Sequence, residues 1–251
     1  DSNKILALAE KLNCPIFADI LSNTRHIKSD RIKVYYEHYL DHLKIKPDFI
    51  LRFGKKPISK KLCQFLAKNN KKTFLLEPYG NFNDNCKNII KSSIKDIILK
   101  FSSKNSTDVK WIKHIDEIEQ SIKNIIEKNT GNQKSEFTLI RALKTSFDNE
   151  DCLFIGNSSP IRTFDQFYGK FNNKVNIFAN RGASGIDGII STALGMSYNN
   201  KKTKNYLIIG DVSLFHDINA FHILNGESID LTIIAINNNG GQIFSRLPYS
   251  N

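Results

Sequence analysis

Asp211 and Asn238 stand 27 residues apart, each just beyond a run of apolar residues. A carboxylate and a side-chain amide both offer hard oxygen donors. Together with a backbone carbonyl they suit Mg²⁺, which keeps part of its octahedron for phosphate oxygens and water. The residues between them show how they can meet. Tyr206–Ile209 and Leu231–Ile236 read as buried strands, and Ser213 is placed to cap an intervening helix to about Gly226. In a right-handed strand–helix–strand unit, both strands end on one edge of the sheet. Asp211 and Asn238 then lie side by side at carboxyl ends of strands, where open α/β sheets bind ligands. An ordinary strand-end aspartate followed by an Asn-Gly turn would present the same pattern.

Two further segments have the composition of ligand loops. Asn180–Gly188 (NRGASGIDG) follows one strand and opens a helix, and its glycines permit a tight turn with close backbone approach to a ligand. On composition it is a phosphate or nucleotide loop, without the GxGxxG dinucleotide spacing. Gly156–Arg162 (GNSSPIR) follows the Cys152–Ile155 strand, with Ser159 as a helix cap and Pro160 at the first helical position. Arg162 and Arg181 therefore both emerge at the same functional edge. Their guanidinium forks suit bidentate capture of carboxylates, and surface ion pairing is the alternative.

The elements that must position these residues alternate between strand and helix. Lys4–Leu12 reads as a helix capped by Ser2, Pro15–Ala18 as a strand and Arg31–Leu43 as a helix. Phe49–Phe53 follows as a strand, Ser59–Ala67 as a helix, Thr73–Leu76 as a strand and Ile89–Ser92 as a further strand. Asp108–Lys128 is a long helix with Trp111, Ile112, Ile115, Ile118, Ile122 and Ile125 at helical spacing. The polar stretch 129–134 reads as a linker between a first α/β unit, 1–128, and a second, 135–251. In the second unit Ser135 caps a helix to about Phe147, and strands follow near Cys152–Ile155, Val175–Phe178, Tyr206–Ile209 and Leu231–Ile236. The fold class is α/β, two Rossmann-like units with parallel sheets covered on both faces.

Composition narrows the classes of partner. The net charge is +11, from 36 basic and 25 acidic residues, but the lysines scatter in pairs such as Lys55-Lys56, Lys60-Lys61 and Lys71-Lys72. No aromatic-interleaved basic block marks a nucleic-acid surface, and a positive field favours anionic substrates. Cys14, Cys63, Cys86 and Cys152 form no CxxC pair and read as reduced core residues of a cytoplasmic protein. No apolar run reaches membrane-spanning length, and integral membrane contact is not expected. The chain opens on Asp1 without a methionine and stops at Asn251 just past a strand, so it reads as a fragment.

Gly210-Asp211-Val212-Ser213, an intervening helix and an asparagine-rich strand end resemble the diphosphate-and-metal motif of thiamine-diphosphate enzymes. The general motif has glycine where this chain has Val212. With Asn180–Gly188 and Asn237–Pro248 (NNNGGQIFSRLP), that variation resembles one family in particular. These are the 2-succinyl-5-enolpyruvyl-6-hydroxy-3-cyclohexene-1-carboxylate synthases of menaquinone and phylloquinone biosynthesis. The segment Leu21–Arg25 (LSNTR) extends the likeness into the first unit.

The resemblance implies a transferase that decarboxylates 2-oxoglutarate on thiamine diphosphate and adds the succinyl unit to isochorismate. It implies that Asp211, the Asn238 side chain and the Gly240 carbonyl hold Mg²⁺ (or Mn²⁺) against the diphosphate. Val212, Ser213, Asn157 and Ser158 join the cofactor site. Ile186 wedges the cofactor into its bent shape, with the Ser184 carbonyl and the Ile186 amide facing the pyrimidine edge. Arg162 and Arg181 take substrate carboxylates, while Ile243, Phe244 and Leu247 line the substrate pocket. Lys60 and Lys61 align with a basic pair that reaches the active site in the family. A homodimer or dimer of dimers is expected. The catalytic glutamate of the family falls in a domain this chain does not contain, so the chain alone is expected to be inactive. Two other readings stay open: another thiamine-diphosphate 2-oxoacid decarboxylase or acetolactate synthase-like enzyme, which a glycine at 212 and no paired arginines would have favoured, and a non-catalytic nucleotide-binding α/β module.

Overall fold

A computed structural model describes residues 2–79, 84–100, 109–129 and 135–244. Leu247 and most of the expected linker, residues 130–134, lie outside them. The chain divides into two compact units, Asp1–Asn129 and Thr130–Asn251.

The first unit runs α1 (Ser2–Lys11), β1 (Ile16–Phe17), β2 (Ile32–Lys33), β3 (Ile50–Phe53), α2 (Lys60–Lys68), β4 (Thr73–Leu76), β5 (Asn88–Ile90), α3 (Ile94–Lys100) and α4 (Val109–Lys128). All pairings are parallel: β1 with β2, and a three-stranded sheet ordered β3-β4-β5. Leu8 of α1, Leu76 of β4 and Ile97 of α3 form one buried cluster. Ser59 caps α2, accepting from the Leu62 N–H at 2.9 Å. Ser2 does not cap α1. It lies inside the helix, and its hydroxyl donates to the Asn23 carbonyl at 3.4 Å.

The expected helix over Arg31–Leu43 is not formed. Its start is strand β2, tied to β1 by the Ile16 N–H to the Arg31 carbonyl at 2.8 Å and the Ala18 N–H to the Lys33 carbonyl at 3.0 Å. The reason lies on α4. One Glu119 carboxylate oxygen accepts the N–H groups of Val34 and Tyr35 at 2.6 and 3.0 Å, and the other accepts the Tyr39 hydroxyl at 2.7 Å. The Lys33 ammonium pairs with Asp116 one helical turn away. Ile32, Val34, Tyr35, Tyr36, Tyr39 and Leu40 are all buried. Five consecutive buried residues, Ile32–Tyr36, with two of their amides tied to a neighbouring carboxylate, leave no alternating solvent face for an amphipathic helix at this point. On α4 itself Ile115 is buried as expected, but Ile126 rather than Ile125 faces the core.

The second unit runs α5 (Glu136–Ala142), β6 (Cys152–Ile155), α6 (Ser159–Thr163), β7 (Asn176–Phe178), α7 (Ile189–Asn199), β8 (Asn205–Gly210), α8 (Asp211–His216) and β9 (Thr232–Ile236). Ser135 and Thr138 close a reciprocal capping box at the head of α5. The four strands form one parallel sheet ordered β7-β6-β8-β9. Buried Phe154, Leu207 and Ile209 of the sheet pack against Ile189, Ile190, Ala193 and Leu194 of α7. Burial, and then the charge of Asp151, push the Cys152 thiol above its ordinary pKa. Cys14, Cys63 and Cys86 are also free thiols. Among the described residues, no helix is long and apolar enough to cross a membrane.

Two helix caps differ from expectation. Ser213 is buried inside α8, whose first residue is Asp211 with Gly210 at the cap position. The segment expected as one helix to Gly226 breaks at Asp217 (φ −111°, ψ 19°) and continues as 3₁₀ turns over Ile218–Leu224. Ser159 likewise lies within α6, after Ser158 at the cap position. Its hydroxyl is spent on Glu136 of α5 at 2.7 Å, and the same carboxylate accepts the Thr163 hydroxyl at 2.9 Å. A buried serine facing a carboxylate on a packed neighbour makes that bond rather than a local cap.

Candidate active site

The direction of winding in the second sheet reverses between β6 and β8, because β7 is added on one side of β6 and β8 and β9 on the other. The carboxyl edge at such a reversal is where open α/β sheets take ligands. Gly156–Ser158 leaves β6 at that edge, and Gly210-Asp211 leaves β8. The two strand ends are close: a side chain at Gly156 would place its first carbon 3.0 Å from the Ile208 carbonyl and 3.3 Å from the Ile209 Cα. Glycine is what lets the backbones approach.

Beside β8, β9 pairs in parallel with Gly210 opposite Ile236, so Asp211 and the Asn237–Gly241 turn are neighbours. Asp211 and Asn238 are thus brought together as their spacing suggests, though the contact runs through backbone. One Asp211 oxygen accepts the N–H groups of Asn238 and Gly240 at 3.2 and 2.8 Å, and the other accepts the Val212 N–H at 2.8 Å. A carboxylate has about four lone-pair positions, so the second oxygen keeps one for a cation. Asn239, Gly240 and Gly241 all have positive φ, at 65°, 74° and 61°. These left-handed residues curl the turn's amides onto the carboxylate. Val212, 46 % exposed, braces the turn, its methyl 3.5 Å from where a Gly240 side chain would begin. A carboxylate, a side-chain amide and a backbone carbonyl are of the oxygen chemistry that suits Mg²⁺ or Mn²⁺, and the Asn238 and Gly240 amides bring those residues to Asp211.

Asn157, Ser158, Arg162 and Arg181 meet at the end of β6. Asn157, buried, donates to the Gly185 carbonyl at 2.8 Å and accepts from the Arg181 guanidinium at 3.4 Å. The Asn180–Gly188 loop is thereby tied to the β6 edge. Arg162 folds back to donate to the Ser158 carbonyl at 2.5 Å, so both arginines meet the same short segment. Ser158 has φ 72° and ψ −130°, a conformation unusual for a residue with a side chain. Ser184 is exposed and Ile186 half-buried. Ile243 is half-buried and Phe244 is 66 % exposed, with its N–H on the Gly241 carbonyl at 2.9 Å. Lys60 is exposed at the start of α2, and Lys61 pairs with Asp41 at 2.8 Å in the first unit. An open groove lined by Cys152, Phe154, Phe178 and Met196 runs along the flank of α7, and neither Asp211 nor Asn238 lines it.

Asp217 escapes a reading of the sequence alone. Its carboxylate accepts the N–H groups of Ile190 and Ser191, at 2.6 and 3.2 Å, at the head of α7. Within an expected helix over 213–226 it reads as one more solvated acid, and only the break of that helix after His216 marks it as a cap for a neighbour. The Ile190 and Ser191 amides, just past the Asn180–Gly188 loop, therefore already hold a carboxylate.

The family model described as "Middle domain of thiamine pyrophosphate" matches residues 1–155. The chain is 35% identical to 2-succinyl-5-enolpyruvyl-6-hydroxy-3-cyclohexene-1-carboxylate synthase of Staphylococcus haemolyticus, over 98% of this chain and 44% of the relative. It is 37% identical to the protein of the same name from Leuconostoc mesenteroides, over 99% of this chain and 44% of that one. To the Lactococcus lactis protein of that name it is 34% identical over 98% of this chain and 45% of the relative. The chain therefore spans less than half the length of these curated relatives. The first unit and the start of the second fall within the family match, and the Asp211 edge lies in the stretch shared with the relatives. The chain belongs to the thiamine pyrophosphate middle-domain family.

Proposed function

We propose that the protein carrying this chain is a 2-succinyl-5-enolpyruvyl-6-hydroxy-3-cyclohexene-1-carboxylate synthase, a thiamine-diphosphate- and Mg²⁺-dependent transferase acting on 2-oxoglutarate and isochorismate. The observation that carries the reading is the meeting of Asp211 with the Asn238–Gly240 turn at the carboxyl edge of adjacent parallel strands. Likeness to synthases of that name along nearly the whole chain supports the substrates. Bound thiamine diphosphate would supply the electron sink that lets a 2-oxo acid lose CO₂.

The chain's own residues have separate tasks in this reading. Asp211, the Asn238 side chain and the Gly240 carbonyl hold the divalent cation, Mg²⁺ or Mn²⁺. Asn157, Ser158, Ser184, Val212 and Ser213 shape the diphosphate and pyrimidine contacts, and Ile186 keeps the cofactor bent. Arg162 and Arg181 hold substrate carboxylates, exchanging their bonds to the 157–158 segment for a bidentate anion. Ile243, Phe244 and Leu247 exclude water around the reacting carbon. A dimer in the cytoplasm is part of the same proposal.

The test uses the full-length protein with thiamine diphosphate and Mg²⁺. CO₂ release from 2-oxoglutarate should depend on isochorismate and match its consumption. Equal or faster CO₂ release from pyruvate, with no consumption of isochorismate, would assign the protein to the other thiamine-diphosphate enzymes.

A further inference from the structure

We propose that Asp217 is a positioning residue that keeps the Asn180–Gly188 loop and the Asp211 metal edge in register. The inference rests on the proposed thiamine-diphosphate site and adds a residue to it. Helix α8 is six residues long and carries a carboxylate at each end. At its head, Asp211 accepts the Asn238 and Gly240 amides of the turn after β9. Just past its tail, Asp217 accepts the Ile190 and Ser191 amides at the head of α7, at 2.6 and 3.2 Å. Three segments that come together only through the fold, 186–191, 211–217 and 238–240, are joined by two acids on one short rigid element.

Asp217 is half-buried, and its neighbours around the α7 head are apolar: Ile189 and Ile190 are fully buried and Ala220 is 8 % exposed. A carboxylate on two amides at a helix amino terminus combines charge-assisted hydrogen bonds with the helix dipole. Gly188, at the α7 cap position with φ 65°, has no side chain to cap the helix. The charge that fixes the helix head therefore comes from Asp217, 27 residues away from Ile190. Ile186 stands two residues before Gly188, so the angle at which α7 starts sets where Ile186 sits. In this account Asp217 touches neither cofactor nor substrate. It holds the loop that does.

The experiment compares full-length wild type with Asp217→Asn, which keeps the shape and one acceptor oxygen but removes the charge. Amide hydrogen exchange at Ile190 and Ser191 should accelerate by about tenfold or more in the variant, as expected when a charged acceptor is lost. The dissociation constant for thiamine diphosphate with Mg²⁺ should stay within about threefold, because Asp211 is untouched, while kcat falls about tenfold to a hundredfold at little-changed KM for 2-oxoglutarate. Asp217→Glu, which keeps the charge, should recover part of kcat. A lowered melting temperature with wild-type kcat would show a merely structural bond and overturn the proposal. If the Asn variant does not fold, Asp217→Glu is read alone: exchange at Ile190 and Ser191 and kcat should change together, and faster exchange at both amides with wild-type kcat would overturn the proposal. Wild-type protein that neither binds thiamine diphosphate nor turns over would sink the functional reading itself, a result visible before any variant is made.

Discussion

At the scale of single residues, the proposed site rests on Asp211, Asn157 and the two arginines. Arg181 already bonds to a neutral amide oxygen at 3.4 Å, a long contact that a substrate carboxylate can replace with a stronger one. Arg181→Ala in the full-length protein is expected to raise KM for the dicarboxylate substrates by about tenfold to a hundredfold, the order of one charged hydrogen-bond pair. Cofactor affinity should stay nearly constant, and steady-state kinetics alongside cofactor titration checks both. Ser158 offers a test without turnover. Its φ of 72° and ψ of −130° cost a side-chain-bearing residue about 1–3 kcal/mol. Ser158→Gly should therefore raise the stability of the cofactor-free protein by about 1 kcal/mol, less what glycine gives back in unfolded-state entropy. Chemical denaturation reads that difference, and a midpoint lowered by the full entropy cost of a glycine would mean the conformation carries no strain.

At the scale of elements, legibility in the sequence followed how locally each element is determined. Strands β4 and β6 begin and end at the residues their apolar runs mark, Thr73–Leu76 and Cys152–Ile155, because a short buried run bounded by polar residues has few alternatives. The Asp211–Asn238 meeting was legible for the same reason: one right-handed crossover dictates it. Where a partner distant in sequence intervenes, local reading fails. Glu119 takes the amides of Val34 and Tyr35, just past β2, and no α-helix forms there. Glu136 takes the Ser159 hydroxyl away from its cap. Asp217 is summoned to a helix whose amides lie 26 and 27 residues back. No spacing rule in one sequence announces such bonds. The Glu119 arrangement gives a pH test. Burial first, and the Glu119 charge second, raise the Tyr39 phenol well above its ordinary value near 10. The folded state holds a proton the unfolded state has lost, so stability contributed by this phenol is intact below about pH 10 and falls as pH rises beyond it. Tyr39→Phe removes a hydrogen bond to a charged acceptor and should cost about 1.5–3 kcal/mol at neutral pH. It should also flatten the alkaline loss, and denaturation midpoints on either side of pH 10 would show both effects.

At the scale of the molecule, two parallel-sheet units differ in what they offer. In the first unit Glu119 holds the Tyr39 hydroxyl, Lys33 pairs with Asp116 and Arg52 with Asp84, all within the unit. The second gathers a carboxylate, an asparagine turn and two guanidiniums along one carboxyl edge. A net charge of +11 gives anionic ligands a favourable long-range field. The curated relatives are more than twice as long as the stretch they share with this chain, so function has to be measured on the full-length protein. The most direct test of the central claim is calorimetric titration of that protein with thiamine diphosphate, with and without Mg²⁺, beside its Asp211→Ala variant. The account predicts Mg²⁺-dependent binding by wild type, weakened by about a hundredfold or more in the variant, at least the loss seen when outer partners of metal sites are removed. Binding of equal strength in the variant, or wild-type binding that does not depend on the metal, would contradict it.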